Sequence, residues 1–179
     1  MSPRTIRRCA AAALALVWGC GGGAAPPPAP SPSSVDAAAD ADLGTPQRPP
    51  IGQAALEAWL AEGHHLAWTC EEAISAPRLT GTHGRHRVCS NQALLASTDG
   101  PYPVGAASVK LLYTAADAPN GFAVGVKIEE GDGPQTWYWY ERRGTSPTAP
   151  PLAEGVGVPD CSVCHGTAPR DYVFIRAIP

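Results

Sequence analysis

The sequence predicts a mainly β (α+β) fold: an antiparallel sheet of about five strands with a few helices. Three observations carry that expectation. Four segments alternate their side chains with a period of two, turn-forming residues separate them, and one segment of helical spacing precedes them all.

In chain order, QAALEAWLAEGHH over 53–65 puts Leu56, Trp59 and Leu60 on one side of a helix, with Gly63 as its stop. RHRVCSN over 85–91 reads as the first strand, and QALLAS over 92–97 as a short helix started by Ser90 and Asn91. SVKLLY over 108–113, FAVGVKIE over 122–129 and TWYWYE over 136–141 read as further strands. The intervening APNG and EGDGPQ supply turn residues, which favours antiparallel neighbours. In FAVGVKIE one face carries Phe122, Val124, Val126 and Ile128, and the other carries Ala123, Gly125 and Lys127. The small-residue face leaves room beside the sheet. Trp137 and Trp139 alternate with Tyr138 and Tyr140, so both faces of that strand are aromatic and both need cover.

The ends of the chain bear on location. Arg4, Arg7 and Arg8 stand ahead of an apolar run from Cys9 to Trp18, the order of a secretory signal over 1–20. That run is too short to span a bilayer. It closes in Val17-Trp18-Gly19-Cys20, which resembles a bacterial lipobox despite the unusual Trp18 and makes Cys20 the expected lipidation site; simple secretion with cleavage nearby is the alternative. Residues 21–50 are rich in Pro, Ala and Gly and have too few large side chains to offset the entropy of folding, as expected of a disordered tether. A single domain over 51–179 follows. The expected location is the bacterial periplasm, with the domain held to the outer membrane by its lipid. A net charge of −3 and the absence of a basic stripe argue against nucleic acid as a partner.

With Cys9 in the signal and Cys20 lipidated, Cys70, Cys89, Cys161 and Cys164 remain. Exported proteins keep disulfides, and four cysteines allow three pairings. A Cys70–Cys89 bridge is expected, and closing a loop of that length stabilises by roughly 3 kcal/mol. Cys161 and Cys164 have another use, because they belong to CSVCH, 161–165. In this spacing two thiols lie on one side of a helical turn, where they can add to the two vinyl groups of a haem, and the next residue, His165, reaches the iron. The rivals are a redox CxxC and a zinc site. The first belongs in an alternating α/β pattern that the sequence lacks, and the second would have to recruit His64, His65, His83 or His86, none of which forms a familiar ligand pair. The expected cofactor is therefore covalent haem c, packed against the sheet, with His165 as the iron ligand.

The ordered set THGRHRV, YPVGAASVK, GFAVGVK, TWYWYE, CSVCH and DYVF, spread over 82–174, resembles the cytochrome P-460 family, which includes the cytochromes c′-beta. The resemblance implies an antiparallel β fold with a haem against the sheet and a haem motif near the C-terminus. It also implies a position for a lysine joined to the macrocycle in P-460, for which Lys110 is the candidate and Lys127 the only other lysine, and a distal carboxylate. Leu111 stands where many relatives carry an acidic residue, so Glu129, Glu130 and Glu141 are alternatives for the carboxylate. Met1 is the only methionine, so the mature domain has no histidine/methionine ligation. The sixth position is open, filled by water, or taken by a histidine or lysine; His83 and His86 are the histidines to consider, against a plain role as exposed loop residues.

The leading expectation is a lipid-anchored monohaem c-type cytochrome that binds or detoxifies a small nitrogen ligand such as nitric oxide or hydroxylamine. The alternatives are a periplasmic electron carrier working with a redox partner protein, and a haem-free lipoprotein with two structural disulfides. No residue is assigned a catalytic role, and little hydroxylamine oxidation is expected.

Overall fold

The computed structural model describes residues 48–77 and 81–174. The expected signal peptide, the lipidation site Cys20 and most of the tether lie outside the described residues. Helix α1 (Gln53–Ala61) is followed by strands β1 (Thr69–Cys70) and β2 (Arg85–Ser90), and then by helix α2 (Gln92–Ala96). Strands β3 (Ala107–Tyr113), β4 (Pro119–Lys127), β5 (Trp137–Arg143) and β6 (Ala153–Val156) come next, and helix α3 (Pro159–His165) follows them. The strands form one sheet in the order β1-β2-β3-β4-β5-β6, antiparallel at every step. This is the antiparallel, mainly β architecture expected. All four strands read from alternation are present; the short β1 and β6 complete the sheet.

Local chemistry sets the helix ends. After α1 the chain turns through Gly63 in the left-handed region (φ 76), a conformation glycine adopts without a Cβ penalty. Asn91 caps α2, its Oδ1 accepting from the backbone N–H of Leu94 and of Ala107, both at 3.0 Å. One side chain thereby starts the helix and ties it to β3.

Cross-strand register sorts the sheet into two faces. On one, α1 buries Leu56, Trp59 and Leu60 against Val109, Val124, Val126, Tyr138 and Tyr140. Each such side chain, moved out of water, contributes roughly 2 kcal/mol. Cys70 and Cys89, partners in the β1–β2 register, are joined by the expected disulfide at that end of the sheet. On the other face Lys110 lies opposite Val88 and Ala123, Ala123 opposite Glu141, Gly125 opposite Ser108 and Trp139, and Lys127 opposite Trp137. Trp137 and Trp139 pack there with Leu94, Tyr102, Ala106 and Val173, and α3 leans on this cluster through Cys161. The aromatic alternation of β5 thus serves two separate cores.

Candidate functional site

The second face is only partly covered. A cleft bordered by Thr82, His83, Lys110, Glu141, Cys161, Cys164 and His165 runs on over Ser108, Ala123, Gly125 and Trp139. Its floor is the small-residue face of β4. A Cβ added at Gly125 would meet the Trp139 ring at 2.9 Å, so the strand and the indole already touch there.

Helix α3 brings the CSVCH side chains to this cleft. Proline stands at its first turn, where a missing N–H costs nothing, and Asp160 in that turn suits the helix dipole. Over one helical turn Cys161, Cys164 and His165 all border the same opening. Cys161 and Cys164 carry free thiols. Burial first, then the charges of Glu141 and Asp160 and the neighbouring Cys164, push the Cys161 thiol up to about 12. It is a protonated thiol at neutral pH. The helix follows β6 in a sheet that is antiparallel throughout, unlike the alternating α/β setting of a thioredoxin-type CxxC.

His165 is oriented from outside the motif. Its Nδ1 donates to the Tyr172 carbonyl at 2.7 Å, which fixes the tautomer with the Nε2 lone pair available. Burial brings its pKa down to about 4; the Tyr172 carbonyl opposes that, and the Lys110 and His83 charges add to it. The imidazole is neutral, as a metal ligand must be. Trp139 lies against it with ring centroids 4.4 Å apart, and Phe174 at 5.5 Å.

The Tyr172 carbonyl is in turn held by a network around Asp171. Asp171 and Tyr172 have positive φ, 33° and 66°, an arrangement that costs of order 1–3 kcal/mol each and persists only where the surroundings enforce it. Asp171 accepts from Lys127 Nζ at 2.8 and 3.0 Å, from Trp137 Nε1 at 3.0 Å and from the Tyr102 backbone N–H at 2.7 Å. The sequence motifs YPVGAASVK, GFAVGVK, TWYWYE and DYVF therefore meet at one carboxylate.

The other expected site residues divide clearly. Lys110 borders every part of the cleft. Lys127 is fully buried in its ion pair with Asp171 and also reaches Thr136 Oγ1 and the Gly131 carbonyl, so its role is structural. Of the three candidate carboxylates only Glu141 borders the cleft; Glu129 and Glu130 are exposed, beyond the end of β4. Burial alone would raise the Glu141 pKa, but His83 and Arg143 together hold it below the ordinary carboxylate value. His86 corrects the view of GTHGRH as an exposed loop. It is a strand residue, 3 % exposed, with Nδ1 bonded to the Gly84 carbonyl at 2.8 Å. His83 is half-buried at the cleft, its Nδ1 3.3 Å from Glu141 Oε2. Two residues that shape the site, Asp171 and Arg143, were not singled out by sequence reasoning; Asp171 lies within DYVF, whereas nothing in the sequence marks Arg143.

Among the described residues no group of three or more His, Cys, Asp or Glu side chains is arranged to hold a bare metal ion. A macrocycle that brings its own in-plane donors is a different matter. Two thiols on one helical turn, an imidazole with its second nitrogen already engaged, and a floor of Ala123 and Gly125 are the features such a group requires, and the residues fit it. Comparison with protein-family models and with curated proteins finds no match for this chain. Fold and site together define a six-stranded antiparallel meander with a CxxCH helix set over one face.

Proposed function

We propose that the chain is an exported, lipid-anchored monohaem c-type cytochrome, akin to the cytochrome P-460 and c′-beta proteins, that binds or detoxifies a small nitrogen ligand such as nitric oxide. The observation that carries this reading is the convergence of Cys161, Cys164 and a tautomer-fixed His165 on one cleft beside the small-residue face of β4. Cys161 and Cys164 would each add S–H across a vinyl group of the haem, sulfur to one carbon and hydrogen to the other, so attachment would need no external oxidant. Bound there, haem supplies an iron able to take a small ligand.

The protein's own part is to hold and enclose. Tyr172 keeps the His165 lone pair aimed away from the backbone, Trp139 and Phe174 wall the imidazole, and Glu141 stands within the cleft where it can accept a proton or a hydrogen bond. Lys110, at the position the family resemblance marks for a cross-link, borders the same space.

The test is direct. Protein matured in a host that attaches haem c should keep a haem stain on a denaturing gel, and the reduced protein should shift its Soret band on adding nitric oxide or carbon monoxide. A clean negative stain removes the proposal in favour of a haem-free lipoprotein. If Lys110 is also joined to the macrocycle, a tryptic digest will carry its peptide with the haem peptide, and Lys110→Leu will abolish that product while Lys127→Leu will not.

A further inference from the structure

We propose that His83 is the second axial ligand of the iron, facing His165, so that the resting site is bis-histidine and an incoming ligand has to displace His83. This rests on the haem reading above and deepens it.

The first support is distance. The His83 and His165 rings have centroids 6.1 Å apart, with their planes inclined at 67°. Metal–imidazole nitrogen bonds are about 2 Å long, and adding the distance from each nitrogen to its ring centre puts two imidazoles on one metal about 6 Å apart. The pair already has the separation that a shared ion between them requires.

The second support is how each ring is held. A metal-bound histidine nearly always passes its other N–H to a carbonyl or a carboxylate. His165 does so with the Tyr172 carbonyl, and His83 places Nδ1 3.3 Å from Glu141 Oε2. His165 is thus left with Nε2 for a metal, while His83 Nδ1 makes no hydrogen bond and stays in ion-pair range of the Glu141 carboxylate. His83 also borders the cleft together with Cys161, Cys164 and His165.

The third support is that the loop carrying His83 is tied in place. Arg143 donates from Nε to Glu141 Oε1 at 2.9 Å and from Nη2 to the Thr82 carbonyl at 2.6 Å, so one guanidinium positions both the residue before His83 and the carboxylate beside it. A histidine on a loop with no such anchor would have no reason to face its partner. His86 is not placed for the role: it lies on β2, off the cleft border, with its Nδ1 on the Gly84 carbonyl. Two imidazoles are too few for a bare ion, and they are the number that complements four in-plane nitrogens.

Spectra of the haem-loaded full chain test this. Low-spin bands are expected in both oxidation states, with carbon monoxide association to the reduced protein levelling off at high gas concentration, where release of His83 limits the rate. His83→Ala should turn high-spin, take up carbon monoxide at least tenfold faster with no plateau, and return to low-spin on adding imidazole. His86→Ala and Lys110→Ala should stay low-spin. A covalently attached haem that is high-spin in the wild type, or a His83→Ala variant that remains low-spin, overturns the assignment and leaves the haem reading standing. Low-spin spectra lost on His83→Ala, with no carbon monoxide uptake by the wild type, keep His83 as the ligand and replace small-ligand binding by electron transfer. Absence of covalent haem removes both proposals.

Discussion

At the scale of single residues, the two lysines of the folded domain have opposite roles. Lys127 and Asp171 form an ion pair whose side chains are 0 % and 2 % exposed. Removing one partner leaves the other charged and buried, so Lys127→Met should cost about 3–5 kcal/mol in urea unfolding. Lys110→Met, at the open cleft, should cost about 1 kcal/mol or less. Equal losses would show that Asp171 is relieved by some other group. His65 gives a second residue-level expectation. It is 2 % exposed between Trp59 and Phe122, and burial, helped by the neighbouring His64, brings its pKa from 6.5 down to about 4. Between those values the unfolded chain takes up a proton that the folded chain refuses, so the unfolded state binds more protons and stability falls as the pH drops. From pH 7 to pH 5 this one group should remove about 2 kcal/mol. His65→Phe keeps an aromatic ring in that slot and should flatten the slope by that amount, which unfolding curves at the two pH values will show.

At the scale of elements, the strands were legible because burial imposes a period of two. Residues 108–113, 122–129 and 136–141 were expected to be strands, and the structure extends or shifts them by a few residues at most. Strands β1 and β6 went unread because Thr69–Cys70 is too short to show a period and Ala153–Val156 contains only one large apolar side chain. What holds the elements together was less visible. Helix α1 is fastened to the sheet by Glu57, 5 % exposed, which accepts from Arg142 Nε at 2.5 Å, from Arg142 Nη2 at 3.0 Å and from the Tyr140 hydroxyl. A glutamate between apolar helix positions reads as solvated until the register of β5 places Arg142 beneath it. Glycine 121 in β4 is another such case. With φ at 113° and a notional Cβ only 2.0 Å from the Arg142 carbonyl oxygen, it permits β4 and β5 to approach where a side chain would force them apart. Gly121→Ala should therefore destabilise by more than about 1 kcal/mol, whereas Gly133→Ala, where a Cβ meets nothing and φ is ordinary, should change stability by less than about 0.5 kcal/mol.

At the scale of the whole molecule, each face of the sheet carries a core with an opening beside it. The α1 face has a core of its own side chains, with an opening at its edge lined by Leu60, His65, Leu111 and Phe122, while over the other face α3 buries only Ser162 among its seven residues and leaves a cleft beside Ala123 and Gly125. The sequence pointed to this through CSVCH and the small side chains of FAVGVKIE. It could not place Glu141, His83 or Arg143 around the opening, because their meeting depends on cross-strand register and on a loop path that no local pattern encodes. If haem is the missing cover, attachment should order the elements that border the cleft far more than those on the opposite face. Hydrogen exchange on haem-loaded protein and on a Cys161→Ala/Cys164→Ala variant will show this. Amides of β4 around Val124 and Val126, whose side chains sit in the α1 core, should exchange slowly in both, since that core packs without the haem. Amides of α3 and of the chain through Asp171, Tyr172 and Val173 should exchange at least tenfold faster in the variant, because their packing and the His165–Tyr172 hydrogen bond would lose the group they enclose. Equal protection of α3 in the two proteins would mean that the face is already complete, and that any haem bound there is carried on the fold without being part of its core.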